Sequence, residues 1–316
     1  MSVCKDPEAI AGERDVTPVY ERIAVIGLGL LGGSVARAAR ARGVARVVIG
    51  ATRRRGALDR ALAEGAVDAV ASREEAVRDA ELVVLATPVS AMAETIRAVA
   101  PALASGATVT DVGSVKAVLH ETLPGLLPPG VRYIGSHPMA GSHERGFEQS
   151  REDLFDGAPC VITESGTSPE KGRLCDFWSA LGARVFVRDA AEHDREVAWV
   201  SHLPHVLAYA FAEALERAPA DARELAGSGF RDFTRIALSE PEMWGEILTE
   251  NRKALAAPLQ AAAGVLSGIA RAIEANDAEA LERKINAARE TLSRFSSSER
   301  SEQEAPGESH PAAVEQ

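Results

Sequence analysis

The sequence is poor in cysteine and has no long uncharged run. Its 316 residues include three cysteines, Cys4, Cys160 and Cys175, which form neither a CxxC pair nor a disulfide framework. We therefore expect reduced thiols and a cytoplasmic protein. The longest uncharged stretch, residues 254–270, has 17 residues. Because a membrane span needs roughly 20 apolar residues, we expect no transmembrane helix.

Positive charge is also scarce. Lys and Arg number 35 against 46 Asp and Glu, which gives a net charge of -11. A net negative charge is unfavourable for binding the phosphate backbone of a nucleic acid, so we expect no nucleic acid partner. The first 20 residues carry six charged side chains, and the apolar core of a signal peptide is missing there. We therefore expect neither export nor a membrane partner.

Two kinds of pattern are present in a chain of average globular composition. Between residues 20 and 189, short β-branched runs alternate with Ala-rich helical stretches, which predicts an α/β fold with a doubly wound parallel sheet. The expected strands are residues 22–27, 45–50, 81–87, 107–113, 131–136, 159–165 and 183–189.

The β-branched runs stop near residue 190. Residues 190–296 form long amphipathic helical patterns, so we predict a second, all-α domain that binds substrate and forms a homodimer interface. Residues 1–19 and 297–316 have few apolar anchors, and we predict disordered tails there.

A GxGxxG motif stands between the first predicted strand and a predicted helix. In that context the glycines allow a tight turn, close approach to a pyrophosphate and packing of the helix on the strand. The motif therefore predicts a Rossmann-type dinucleotide-binding domain, with a purely structural glycine-rich turn as the alternative. The expected cofactor-binding residues of this turn are Gly27, Leu28, Gly29, Leu30, Leu31 and Gly32.

The second predicted strand ends without a carboxylate. An NAD enzyme should present an acid to the ribose hydroxyls there, whereas this sequence has Thr52, Arg53, Arg54 and Arg55. Guanidinium groups pair with a 2′-phosphate through charge-assisted hydrogen bonds. We therefore predict that NADP is preferred over NAD, with a solvated loop indifferent to the 2′-phosphate as the alternative.

Five further segments carry a specific resemblance. They are ATPVS (86–90), DVGSVK (111–116), GSHPMAGSHERG (135–146), HDREVAWVSHLPH (193–205) and GFRDFTRIALSEPEMW (229–244). In this order they resemble the prephenate dehydrogenase family, which includes the arogenate and cyclohexadienyl dehydrogenases of tyrosine biosynthesis. The resemblance covers about residues 21–295. It implies an NAD(P)-dependent oxidative decarboxylation of prephenate or arogenate.

The resemblance assigns two catalytic residues. His137 follows a predicted strand, and a neutral imidazole is well suited to accept a hydroxyl proton near pH 7. It matches the catalytic histidine of the family's HPMAG motif. Ser114 matches the serine that hydrogen-bonds this histidine and the substrate hydroxyl. From the residues alone, Ser114 is also the expected N-cap of the next helix.

The resemblance also implies a substrate pocket in the helical domain. His205 is expected in this pocket, and the guanidinium of Arg235 is expected to pair with a substrate carboxylate. Trp244 is a candidate pocket wall, with a core tryptophan as the alternative. Residues 143–145 are expected to form a loop over the cleft.

His202 and His205 lie one helical turn apart, a spacing that metal sites use. No third ligand stands at an obvious spacing, and hydride transfer to a nicotinamide needs no metal, so we predict no metal. We expect His202 and Asp194 to organise the pocket, with a core histidine as the alternative for His202. Thr87 and Pro88 are expected to line the cofactor site.

Two other classes of protein stay open at this point. A β-hydroxyacid dehydrogenase or imine reductase pairs the same two domains but uses a donor from the helical region, for which Lys253 is the candidate. A non-catalytic NADP-sensing protein would need the glycine turn. It would not need His137, Ser114 and Arg235 together.

Overall fold

The computed structural model describes residues 17–141, 144–164 and 166–303, with side chains up to residue 295. The strands are β1 (Tyr20–Ile26), β2 (Ala45–Ala51), β3 (Ala69–Val70), β4 (Leu82–Leu85), β5 (Thr108–Asp111), β6 (Arg132–Tyr133), β7 (Gly135–Pro138), β8 (Pro159–Thr163) and β9 (Arg184–Arg188). The helices are α1 (Leu30–Ala41), α2 (Arg55–Ala63), α3 (Arg73–Ala76), α4 (Val89–Val99), α5 (Ala117–Thr122), α6 (Pro169–Ala180), α7 (Ala190–Val197), α8 (Leu203–Ala214), α9 (Ser228–Thr234), α10 (Pro241–Glu250), α11 (Arg252–Glu274) and α12 (Ala278–Gln303).

Six parallel strands form the main sheet, in the order β3-β2-β1-β4-β5-β6. The four residues of β4 are all buried, as are the last four of β1 and of β2. Because helices cover both faces of such a sheet, its strands need nearly continuous apolar runs, which these segments have. The predicted class, a Rossmann-type α/β domain followed by helices, is confirmed.

The strand pairing differs from the expected sheet in its last part. The expected strand 131–136 divides into β6 and β7, and β7 pairs antiparallel with β8, which is parallel to β9. The expected strands 159–165 and 183–189 therefore belong to a separate three-stranded sheet. Their β-branched pattern is the same as that of the main sheet, and this pattern contains no information about the pairing partner.

The boundary expected between residues 189 and 190 stays a prediction, and the chain also divides into two compact units further along the sequence. The first unit extends to Ala256, and the second begins at Ala257. The last helix also continues to Gln303, so residues 297–303 of the expected tail are helical. Residues 1–16 and 304–316 of the expected tails lie outside the described residues.

The first unit includes α7 to α10 because these helices are bonded to the sheet region. The Asp194 carboxylate on α7 accepts hydrogen bonds from the backbone N–H groups of Lys116 and Ala117, at 2.8 and 2.9 Å. Trp244 of α10 packs in a small apolar cluster with Val115, which lies between β5 and α5. These contacts join residues that are distant in sequence into one compact unit.

Helix α11 bears on the expectation of no transmembrane helix. It is the one helix in the described part of the chain whose length and composition would suffice to cross a membrane, and 11% of its most apolar window is buried. Val265, Leu266 and Ile273 on this helix are 56–61% exposed. Length and composition alone do not distinguish a transmembrane helix from a helix whose apolar face binds another protein.

A buried ion pair lies at the end of β5. Asp111 and Lys116 have no exposed side-chain surface, and the ammonium group donates to Asp111 Oδ2. The same carboxylate accepts hydrogen bonds from the Tyr133 hydroxyl, at 2.9 Å, and from the backbone N–H of Gly113, at 2.8 Å. These partners offset the cost of removing two charges from water.

We predict that Lys116→Met lowers the free energy of unfolding by about 3–5 kcal/mol, because Asp111 then keeps a buried charge without its cation. Urea denaturation followed by circular dichroism measures this change. The control is Arg46→Ala, which removes an exposed ion pair with Glu21 and should cost less than about 1 kcal/mol. Equal effects of the two substitutions would contradict the prediction.

Candidate active site

The turn between β1 and α1 is built for an anion. Gly27 has a positive φ of 105°, and a Cβ atom there would lie 2.4 Å from the carbonyl oxygen of Ala86. A Cβ atom on Gly32 would lie 1.9 Å from the Gly27 carbonyl oxygen. Around the Cβ position of Gly29, the N-cap of α1, there is open space. The first N–H groups of the helix can therefore receive a pyrophosphate.

The leucines of this turn differ in exposure. Leu28 is 2% exposed and belongs to the main core, where a Cβ on Gly50 would lie 2.9 Å from its Cδ1 atom. Leu30 and Leu31 begin α1 and are partly buried. The side chain of Leu28 is therefore structural, and its contribution to a bound phosphate is limited to its backbone.

Thr87 and Pro88 stand beside this turn, after β4. Thr87 Oγ1 is buried without a hydrogen-bond partner among the described residues. A buried hydroxyl without a partner is costly, and a bound ribose or carboxamide would supply one. Nearby, the backbone N–H of Ser90 donates to the Glu246 carboxylate of α10. The open glycine turn and the unpaired hydroxyl together fit a dinucleotide.

The β2–α2 turn holds the residues expected to select the cofactor. Arg54 is the N-cap of α2, and its N–H lies 3.5 Å from Thr52 Oγ1. The side chains of Arg53 and Arg54 are exposed at this strand end. Two exposed arginines therefore follow the carboxyl end of β2.

His137 lies on β7, opposite Val161 of β8, and is 7% exposed. Its Nδ1 atom is 2.8 Å from Nε2 of His193, whose ring meets it edge to face with centroids 5.0 Å apart. Nδ1 of His193 is in turn 2.8 Å from Oδ1 of Asp194. Three side chains thus form a continuous buried chain that ends in a carboxylate.

The environment keeps both imidazoles of this chain neutral. Burial lowers the pKa of His137 well below its ordinary value, and the nearby His193 and Lys116 act in the same direction. Burial also lowers the pKa of His193. Burial alone would raise the pKa of Asp194, but hydrogen bonds from His193 and two backbone N–H groups outweigh it and lower this pKa. The arrangement is a carboxylate beside neutral bases.

Ser114 does not have the expected helix-capping role. Helix α5 begins at Ala117, and its first N–H groups, from Lys116 and Ala117, bond to the Asp194 carboxylate instead. The expectation of an N-cap at Ser114 is wrong because a carboxylate from α7 occupies that position. Ser114 is partly buried, next to the buried Val115.

A second group of predicted residues lies on α8 to α10. The rings of His205 and Trp244 are stacked, with centroids 3.5 Å apart and planes at 22°. His205 Nδ1 donates to the Ser201 carbonyl oxygen at 2.9 Å, which leaves Nε2 as its other polar atom. Burial lowers the pKa of His205, and the charge of Arg235 adds to this effect. Arg235 is exposed and begins a 3-10 turn after α9.

His202 is 1% exposed and ends a π-helical turn, residues 198–202. Its Nδ1 atom accepts from the Asn251 amide at 2.9 Å, and the same amide donates to the Asp194 carbonyl oxygen at 2.8 Å. Burial lowers the pKa of His202 to about 4. Asn251 therefore links His202 to Asp194, the two residues expected to organise the pocket.

Sequence reasoning missed two residues of this region, His193 and Asn251. His193 precedes Asp194 at the start of a predicted helix, and that adjacent pair was the one available signal. Its contact with His137 joins residues 56 positions apart, which no local pattern reveals. Asn251 lies between α10 and α11 and carries no motif.

The remaining predicted residues are Arg145, His143 and Lys253. Arg145 forms an ion pair with Glu240 at the start of α10, whereas His143 lies outside the described residues. Lys253 is exposed on α11. Among the described side chains, no three His, Cys, Asp or Glu residues are grouped so that they could hold a metal ion.

A glycine turn with space for a pyrophosphate and a buried, neutral imidazole fit an NAD(P)-dependent oxidoreductase. Residues 35–187 match the family model described as prephenate dehydrogenase, nucleotide-binding domain. Residues 189–287 match the model described as prephenate dehydrogenase, dimerization domain. The chain belongs to the prephenate dehydrogenase family, as its motifs predicted.

Known proteins of this family resemble the chain over most of their length. A cyclohexadienyl dehydrogenase of Zymomonas mobilis is 37% identical over 272 residues, which cover 83% of this chain and 92% of that protein. The structure of Synechocystis arogenate dehydrogenase has a TM-score of 0.74 and 32% identity, and the match covers 87% and 99% of the two chains. Prephenate dehydrogenase from Aquifex aeolicus, in complex with hydroxyphenyl propionate and NAD+, has a TM-score of 0.80, 27% identity and coverage of 89% and 100%.

A 3-hydroxyisobutyrate dehydrogenase from Salmonella typhimurium shows how far the fold extends beyond this family. Its TM-score is 0.54 at 16% identity, over 76% of this chain and 87% of that one. This likeness concerns the fold alone. The β-hydroxyacid dehydrogenase alternative therefore gains no support from it, and the predicted prephenate or arogenate dehydrogenase class is confirmed.

We predict that Gly32→Ala weakens dinucleotide binding at least about tenfold, equal to about 1.4 kcal/mol, because the new methyl group displaces the Gly27 carbonyl and opens the turn. Isothermal titration with NADP and with NAD measures this. Gly172→Ala on α6 is the matched control, since nothing lies within 4 Å of its Cβ position. Unchanged affinity in Gly32→Ala would refute the assignment of the turn.

Proposed function

We propose that this protein catalyses the NAD(P)-dependent oxidative decarboxylation of prephenate to 4-hydroxyphenylpyruvate, or of arogenate to tyrosine. The observation that carries the proposal is the buried, neutral imidazole of His137 in a chain with a dinucleotide-binding turn. The relatives named for prephenate, arogenate and cyclohexadienyl dehydrogenase activities support it.

His137 is the general base of this proposal. Its Nδ1 atom is engaged with His193, so Nε2 is the atom that takes the proton of the substrate ring hydroxyl. Ser114 hydrogen-bonds the same hydroxyl and orients it. The glycine turn and Thr87 would hold the dinucleotide, whose nicotinamide would supply the acceptor for the hydride of the ring carbon that carries the hydroxyl. Loss of CO2 would then make the ring aromatic.

We assign substrate binding to residues on α8 to α10. Arg235 is exposed close to His205, and a planar guanidinium pairs bidentately with a carboxylate such as those of prephenate. The stacked rings of His205 and Trp244 form a rigid wall beside it. Binding of this kind aligns the ring with the base.

For the cofactor, we propose that NADP is preferred, with NAD as the alternative. Thr52, Arg53 and Arg54 occupy the strand end where an NAD enzyme presents an acid, and both arginines are exposed there. A 2′-phosphate adds negative charge that these guanidinium groups can pair with.

We also propose a homodimer in the cytoplasm. Four large apolar side chains of α11 and α12 are 56–61% exposed, and an apolar surface of this kind marks a protein partner or a membrane. The description of the matching domain as a dimerization domain favours a second copy of the chain. The four side chains are Val265, Leu266, Ile273 and Ile285.

The activity is tested by supplying prephenate and arogenate, each with NADP and with NAD, and following reduced cofactor at 340 nm. We expect turnover with at least one substrate and a lower KM for NADP than for NAD.

In the double variant Arg53→Ala, Arg54→Ala the KM for NADP should rise at least about tenfold, whereas the KM for NAD should not change.

Arg60→Ala is the control for this experiment, because Arg60 lies on α2, the helix that follows Arg53 and Arg54, but pairs with Glu148. It should leave the NADP preference unchanged. Four inactive combinations, with NADP binding retained, would contradict the proposed activity. Equal KM values for NADP and NAD in the wild type would contradict the cofactor preference alone.

We predict that His137→Asn lowers kcat at least about 100-fold, because the base is lost, while cofactor affinity is unchanged.

The pKa of His137 lies well below 6.5, so the imidazole stays neutral on acidification through that value. In the wild type, kcat/KM should therefore be level from pH 8 down to pH 6.5 and fall only below it. Stopped-flow rates across this range test both statements, and near-normal turnover in the variant would disprove the role of His137.

A further inference from the structure

The carboxylate of Asp194 is the fixed end of the buried chain. It is 5% exposed and accepts hydrogen bonds from the backbone N–H groups of Lys116 and Ala117. These bonds lower its pKa, so it is ionised and has no proton to donate. His193 Nδ1 lies 2.8 Å from Asp194 Oδ1, so Nδ1 must carry the hydrogen of this bond.

This hydrogen sets the tautomers of both histidines. A neutral imidazole has one N–H and one lone pair, so His193 with a hydrogen on Nδ1 has its lone pair on Nε2. That lone pair faces His137 Nδ1 at 2.8 Å, which must then be the donor. His137 is left with its lone pair on Nε2, the atom available to a substrate hydroxyl.

We propose that Asp194, His193 and His137 form a proton relay, in which His193 fixes the reactive tautomer of His137 and takes up the proton that His137 removes. The inference rests on the proposed function. His137 is the catalytic residue, and His193 is a positioning residue that also shares the proton.

The transfer balances atom by atom. The substrate O–H bond breaks as a bond from hydrogen to His137 Nε2 forms. The Nδ1–H bond of His137 then breaks as a bond from that hydrogen to His193 Nε2 forms. The positive charge ends on His193, directly beside Asp194, and His137 is again neutral. When product has left, the reverse path returns a proton to His137 Nε2, which releases it to water, and both imidazoles are neutral again.

The surrounding charges favour His193 over His137 as the place for this proton. Lys116 opposes a cation on either ring, but it is paired with Asp111. The Asp194 carboxylate, in contrast, lies 2.8 Å from His193 Nδ1 and favours a cation on that ring.

His193→Gln separates orientation from proton uptake. Its amide oxygen can accept from His137 Nδ1 and its amide nitrogen can donate to Asp194, so the tautomer is kept, but an amide does not take up a proton at neutral pH. We expect kcat to fall about 100-fold, with KM and cofactor affinity unchanged. A kcat within about threefold of wild type would overturn the proposal.

His120→Gln is the matched control. His120 is a partly buried histidine whose Nε2 bonds to Thr163 Oγ1, outside the relay. We expect its kcat to equal that of the wild type. Thermal melting of both variants checks that they fold.

Proton inventories in mixtures of H2O and D2O report how many protons move. The wild type should give a curved plot of rate against deuterium fraction, because two protons move along the relay. His193→Gln should give a linear plot with one proton. A merely structural role of His193 would leave the shape of the plot unchanged, and a linear plot in the wild type would overturn the proposal.

Nitrogen-15 NMR of the histidine rings tests the relay without any turnover. In the wild-type protein the His137 ring should carry its hydrogen on Nδ1, with the signal assigned by its loss in His137→Asn. A hydrogen on Nε2 would overturn the proposal. If neither prephenate nor arogenate is turned over, the proposed function fails, while this spectrum still decides the tautomer.

Discussion

The side chain and backbone of Asp194 hold the site together. Its carboxylate accepts the first N–H groups of α5, from Lys116 and Ala117, and also the ring N–H of His193. Its carbonyl oxygen accepts from Asn251, which also bonds to His202. A buried carboxylate is stable only when its lone pairs are occupied. The position of Asp194 therefore fixes the start of a helix and the orientation of two histidines at once.

Burial gives this site its chemistry and also limits it. Burial lowers the pKa of His137, His193 and His202, and it thereby provides neutral imidazoles where a proton has to be accepted. The same burial would make an accepted proton costly without a counter-ion. Asp111 is already neutralised by Lys116, so the compensation has to come from Asp194. The carboxylate thus stabilises the resting fold and the protonated state of the site alike.

Features encoded over a few neighbouring residues were predictable from the sequence. The glycine turn and most main-sheet strands were found because each has a local pattern with one physical cause. The edge strand β3, which has only two residues, was missed because so short a segment carries no pattern. Features that depend on tertiary contact were not. Asp194, rather than Ser114, bonds to the start of α5, and β7 pairs with β8 outside the main sheet. The contact between His137 and His193 likewise exists only in the folded chain, since local propensity says nothing about distant partners.

Buried and exposed residues of this site differ in how many neighbours a substitution disturbs. His137, His193 and Asp194 are 0–7% exposed, so a change in any of them disturbs several neighbours. The residues to which we assign cofactor and substrate charge, Arg53, Arg54 and Arg235, are exposed and carry few contacts that restrict substitution. Relatives named for cyclohexadienyl, arogenate and prephenate dehydrogenase activity share this fold at 27–37% identity. A change of charge at Arg53, Arg54 or Arg235 can therefore alter binding without disturbing the buried side chains around His137.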